Sequence, residues 1–104
     1  MKKVVRDGQV AVLYHPGYGA GWYSWHGIPA LIYDPLVVDM VEKEQAPEQI
    51  YAYCNEHYTD TYHFFGGSDG LSIAWLPEGT EFRIEEYDGA ETIRLKQDYT
   101  WMVA

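Results

Sequence analysis

Asp88-Gly89 lies between two runs of alternating apolar residues, and this leaves the chain few ways to fold there. Asp-Gly suits a two-residue type I′ turn, whose central residues both need positive φ, and such a turn sets the register of the strands beside it. Counting outward pairs Tyr87 with Ala90, Ile84 with Ile93 and Phe82 with Leu95, so the Ile84–Ile93 and Phe82–Leu95 pairs share one face. Residues 81–87 and 90–96 are therefore expected to form a hairpin. A second Asp-Gly, Asp7-Gly8, separates Val4-Val5-Arg6 from Gln9-Val10-Ala11-Val12-Leu13 and predicts another. Residues 61–65 favour a strand ended by Gly66-Gly67, and Leu71, Ile73 and Trp75 alternate along one more. Pro77-Glu78-Gly79 reads as a turn, and Tyr99 to Val103 as a last strand.

Two helices are expected between these ends. Asp34-Pro35 carries a helix start, with Asp as N-cap and Pro at the first helical position. Leu36, Val37, Met40 and Val41 then fall on one arc, with Asp39, Glu42 and Lys43 on the other. A second helix is expected from Pro47, with Ile50, Tyr53, Cys54, His57 and Tyr58 as its apolar stripe and His57 as a hydrogen-bonded core histidine. The expected fold is a single compact α+β domain spanning 1–104. Its sheet is mostly antiparallel, from an N-terminal hairpin and a C-terminal meander, with two amphipathic helices in the middle.

Charge narrows the function. Sixteen Asp and Glu stand against seven Lys and Arg, a net of −9. Such a chain has no general basic face for nucleic acid, and it suits anionic membranes poorly. Lys2, Lys3 and Arg6 against Asp7 make residues 1–33 net positive, while seven acids against Lys43 make residues 34–60 strongly negative. Those acids follow the polar arcs of the expected helices, so solvated faces explain them better than mimicry of DNA phosphates. No apolar run is long enough to span a membrane, and Arg6-Asp7-Gly8 interrupts any leader begun by Met1-Lys2-Lys3, so a cytoplasmic protein is expected. Cys54 is the one cysteine and reads as a buried structural thiol.

Residues 14–29 break every periodicity. The stretch His15-Pro16-Gly17-Tyr18-Gly19-Ala20-Gly21-Trp22-Tyr23-Ser24-Trp25-His26-Gly27 holds four glycines and four aromatics, too long and apolar for an idle connector. It lacks the Gly-Lys-Ser/Thr ending of a P-loop. Two readings compete. In one, the loop folds over the core on its own aromatics. In the other, Trp22, Tyr23 and Trp25 stack a base or sugar while the amides of Gly17, Gly19 and Gly21 approach an anion. Arg83 and Arg94 face each other across the expected hairpin, a repulsive arrangement that either Glu85 or a bound anion must relieve. His15 and His26 bracket the loop and would serve as acid and base only with a substrate between them. No histidine or cysteine spacing matches a zinc site, so no metal and no cofactor is expected.

Three stretches resemble a family of small bacteriophage and prophage proteins. One is Gly8-Gln9-Val10-Ala11-Val12-Leu13 leading into Pro16-Gly17-Tyr18-Gly19-Ala20-Gly21-Trp22-Tyr23-Ser24-Trp25. Another is Asp34-Pro35-x-x-Val38 with the acidic helices after it. The third runs from Pro77 through Glu78-Gly79-Thr80-Glu81-Phe82-Arg83-Ile84-Glu85-Glu86-Tyr87-Asp88-Gly89, with Trp101 and Ala104 closing the chain. This chain carries His15 and His26 where the family pattern has a small or amide side chain, which weakens a histidine-based catalytic reading. The resemblance implies a phage accessory protein that counters host defence, and by analogy a sponge that sequesters a nucleotide-like signal. The expected activity is therefore non-enzymatic capture of a small nucleotide-like ligand. The expected site is Gly17, Tyr18, Gly19, Gly21, Trp22, Tyr23, Trp25, His26, Arg83 and Arg94. Seventeen aromatics (ten Tyr, four Trp, three Phe) in so small a domain also predict a homo-oligomer. The alternatives are an acidic inhibitor that binds a host protein and a small nucleotide hydrolase.

Overall fold

Val10-Ala11-Val12-Leu13 is apolar at every position, as suits a strand covered on both faces. The computed structural model, which describes residues 1–59, 64–96 and 103–104, places that strand at the centre of a sheet. Strand β1 (Val5–Arg6) and β2 (Gln9–Tyr14) form the first hairpin, with Asp7 at φ 51° and Gly8 at φ 75° as a type I′ turn requires. Strand β3 (Ser72–Pro77) pairs antiparallel along the other edge of β2, with Leu13 opposite Ile73 and Ala11 opposite Trp75.

The second hairpin has the register read from its turn. Strand β4 (Phe82–Tyr87) meets β5 (Ala90–Leu95) with Phe82 opposite Leu95, Ile84 opposite Ile93 and Tyr87 opposite Ala90. Asp88 and Gly89 take φ 55° and 84°. The expected C-terminal meander differs in one respect: β3 does not pair with β4. The buried backbone of β2 needs hydrogen-bond partners along its edges; β1 pairs with only two of its residues, and β3 pairs with all six. Pro77–Thr80 then turns the chain away, with the Thr80 amide donating to the Pro77 carbonyl at 3.0 Å and Gly79 at φ 88°. The result is a compact α+β domain in which the described residues form two antiparallel sheets, three-stranded and two-stranded.

Among the described residues four α-helices lie between the hairpins: α1 (Tyr23–His26), α2 (Pro29–Tyr33), α3 (Pro35–Glu42) and α4 (Pro47–His57). The single turns α1 and α2 carry too few residues for a periodic signal. Gly27 at φ 67° ends α1, and Pro29 opens α2. Asp34 caps α3 by accepting from the amides of Leu36 (2.9 Å) and Val37 (3.3 Å). The same carboxylate accepts from the hydroxyls of Tyr53 (2.8 Å) and Tyr58 (2.6 Å) on and just beyond α4. That bond draws Asp34 inward, and Val37 and Val38, three and four residues on, share its face and are buried. Leu36, expected in the core, is instead 56% exposed.

On α4, Ile50 and Cys54 are buried, with Tyr53 and Tyr58 half-buried. His57 is exposed and not a core residue. It sits in the last turn with its ring stacked 4.2 Å from Tyr53. Residues 64 and 65, expected to end a strand, are not in one; residues 60–63, and all of the expected last strand Tyr99 to Val103 except Val103, lie outside the described residues. Phe65 is wholly buried against Trp22 and is followed by a single 3₁₀ turn, Gly66–Ser68.

Candidate functional site

Glu91 and the glycine-rich loop form one hydrogen-bonded unit. On β5, Glu91 shares a face with Ile93 and Leu95, so strand alternation alone turns its carboxylate inward, where it is 2% exposed. A buried carboxylate needs donors, and the loop provides them. Its Oε1 accepts from the His15 amide at 2.9 Å. Its Oε2 accepts from the Trp22 amide (2.9 Å), the Ser24 amide (2.8 Å) and the Ser24 hydroxyl (2.7 Å). The Glu91 amide returns a bond to the His15 carbonyl at 2.7 Å. The loop does cradle an anion, but the anion belongs to the chain.

The surrounding loop residues tighten this clasp. Gly19 donates to the Asp88 carbonyl at 3.0 Å, and a Cβ on Gly89 would overlap the Gly19 carbonyl oxygen. A Cβ on Gly21 would overlap the Ser24 hydroxyl. The His15 ring is buried between the carbonyls of Gly89 (Nδ1, 3.3 Å) and Asp69 (Nε2, 3.0 Å). Trp22 is fully buried and donates from Nε1 to the Leu31 carbonyl at 3.0 Å. It anchors the loop and offers no face to a ligand, contrary to the sequence expectation. His26 stacks on Phe65 at 4.6 Å. Gly17, Tyr18 and Trp25 lie at the surface, Tyr18 at 75% and Trp25 at 40% exposure.

Two of the expected residues do meet, in a groove between the short helices and the second hairpin. Tyr23 of α1, Ile32 and Tyr33 of α2, and Phe82, Arg83 and Ile84 of β4 surround a cavity of about 370 Å³. Tyr33 and Phe82 also wall an adjoining cavity of about 150 Å³ that reaches Lys3. The Lys3 ammonium sits 4.5 Å over the Tyr33 ring, a cation–π contact. Burial, and then the nearby Tyr23 phenol, raise the Tyr33 pKa above its ordinary 10.0, so its hydroxyl stays a neutral donor. Across the hairpin, Glu85 bridges the facing arginines, Arg83 Nη2 at 3.1 Å and Arg94 Nε at 2.8 Å. Arg83 reaches the groove, whereas Arg94 is not among its walls.

Sequence reasoning missed Lys3, Tyr33 and Phe82 as site residues. The excess of positive charge in residues 1–33 was a signal for Lys3, and the alternation of β4 for Phe82. Tyr33, just before a helix cap, carried none. Glu91 was also missed, although its place on the apolar face of β5 was readable.

Other reactive groups are held in structural roles. Burial, and then the charge of Asp34, push the Cys54 thiol up to about 12, so it is not a nucleophile near neutral pH. Among the described residues no group of three or more His, Cys, Asp and Glu is placed to hold a metal, and no helix is long and apolar enough to cross a membrane. No protein-family model, curated protein or solved structure matches the chain.

Proposed function

We propose that this chain captures a small, ring-bearing anion of nucleotide type in the groove between α1–α2 and β4, and holds it without chemical change. One observation carries the reading: three aromatic side chains, Tyr23, Tyr33 and Phe82, converge there with Arg83, and Lys3 sits over Tyr33 in the adjoining cavity. A base packs on aromatic faces whatever its edge pattern, and a phosphate accepts charge-assisted bonds from guanidinium and ammonium groups. The cavity of about 370 Å³ falls within the range of small-molecule sites. Retention without turnover is favoured because the thiol is buried and protonated and the His15 ring faces backbone carbonyls. With the phage-type resemblance, this reading is of a sponge that removes a signalling nucleotide in the host cytoplasm.

Calorimetric titration with cyclic dinucleotides and cyclic ADP-ribose isomers tests it. One of them should bind saturably, and heat-denatured complex should release it with unchanged mass. A stacked base is worth about 1–3 kcal/mol, so Tyr33→Ala should lower affinity roughly 5- to 150-fold. Arg83→Ala should lower it by about tenfold or more, whereas Arg94→Ala, outside the groove, should change it less than about twofold. Recovery of a cleaved nucleotide, or full affinity in both groove variants, defeats the proposal.

A further inference from the structure

A second concavity lies on a different face and has the opposite charge. Glu48, Tyr51 and Asn55 of α4, with Phe65, Ser68 and Asp69 around the 3₁₀ turn, line about 620 Å³, more than the aromatic groove, with which this concavity shares no wall. Its charged walls are Glu48 and Asp69, both acidic and exposed. Tyr51 is its half-buried aromatic wall, edge-on at 5.9 Å to the ring of the wholly buried Phe65. From Tyr51 the aromatic surface continues outward through Phe64 (6.4 Å) to Trp25 (6.3 Å further), which are 45% and 40% exposed.

We infer that this face docks an arginine-bearing segment of a basic protein partner. Charge complementarity names the sign: two carboxylates at the mouth, on a chain of net −9, attract cations and repel anions. The Tyr51 ring names the group, because a guanidinium stacks on a ring while donating to a carboxylate, which a hydrated ammonium does less well. The rim names a macromolecule rather than a single small cation. Trp25 and Phe64 extend the apolar face beyond what one guanidinium covers, and exposed aromatics beside a pocket are the usual anchors of protein interfaces. Tyr18, at 75% exposure, is not among the cavity walls and has no part in this. The basic partner and the groove ligand are independent, so either can fail alone.

The test uses a fluorescein-labelled Gly-Arg-Leu-Arg-Leu-Arg-Gly peptide and its Glu-for-Arg counterpart, read by anisotropy against the full chain. The arginine peptide should bind saturably and the glutamate peptide should not. Glu48→Gln with Asp69→Asn should weaken binding about tenfold or more, since charge-assisted contacts at the mouth are lost. Asp7→Asn with Glu78→Gln removes the same charge at the first hairpin turn and should change it less than about twofold. Trp25→Ala should weaken it roughly 3- to 10-fold. Unchanged melting temperatures establish that the exposed variants remain folded. Equal losses in the two charge-matched pairs would reduce the effect to net charge and overturn the assignment. So would displacement of the peptide by arginine amide at the peptide's own concentration.

Discussion

Two buried carboxylates organise this molecule, and each does so by accepting more hydrogen bonds than a surface acid would. Glu91 takes four donors from the loop, so replacing it strands several polar groups at once. Glu91→Gln keeps the shape but turns one acceptor into a donor facing other donors, and should destabilise the fold by about 2–4 kcal/mol. Urea unfolding measures this, and a loss below about 0.5 kcal/mol would mean the clasp is ornamental. Asp34 takes donors from Tyr53 and Tyr58, beside Cys54. Burial first, and then the bond to Asp34, raise both phenols well above their ordinary 10.0, while the thiol rises from 9.0 to about 12. The folded chain thus keeps protons that the unfolded chain releases. Stability from these groups is complete below about pH 9 and falls as pH rises beyond it. Melting temperature should decline from pH 8.5 to 11, and Ellman's reagent should leave native Cys54 unlabelled at pH 8 while labelling it in denaturant. Rapid native labelling would contradict the buried, protonated thiol.

At the scale of elements, the two Asp-Gly turns are alike in sequence and backbone but not in surroundings. Gly8 and Gly89 both take positive φ, 75° and 84°. A Cβ on Gly8 meets nothing within 4 Å, whereas one on Gly89 would overlap the Gly19 carbonyl. Gly8→Ala should therefore cost about 1–2 kcal/mol from backbone strain alone. Gly89→Ala should cost about 1–3 kcal/mol more, because the loop must lift from the turn. Equal costs in chemical denaturation would show that the loop does not rest on the hairpin as described. Helix α3 carries a related lesson. Its apolar arc predicted a helix, but Asp34, bonded to two tyrosines of another segment, chose which part of that arc faces inward. Periodicity gives the angular spread of a helix face; a cross-chain polar bond sets its rotation.

For the whole molecule, exposed aromatics bear on assembly. Tyr18 and Tyr87 are 75% and 76% exposed. Light scattering at high micromolar concentration should give at least twice the 12.0 kDa chain mass, whereas a monomer mass would leave these rings to other partners. The sequence by itself determined the α+β class, both hairpin turns and the exact pairing of β4 with β5, because Asp-Gly chemistry and strand alternation act over neighbouring residues. It also carried the starts of α3 and α4, through Asp34-Pro35 and Pro47. The partner of β3, the burial of Trp22 and the meeting of Tyr33, Phe82 and Lys3 were decided only in the tertiary structure. Each joins segments far apart in the chain, where no local propensity specifies the neighbour. The glycine-rich loop shows the division most clearly: its composition announced donors arranged for an anion, and only the packing of β5 beneath it made that anion the carboxylate of Glu91.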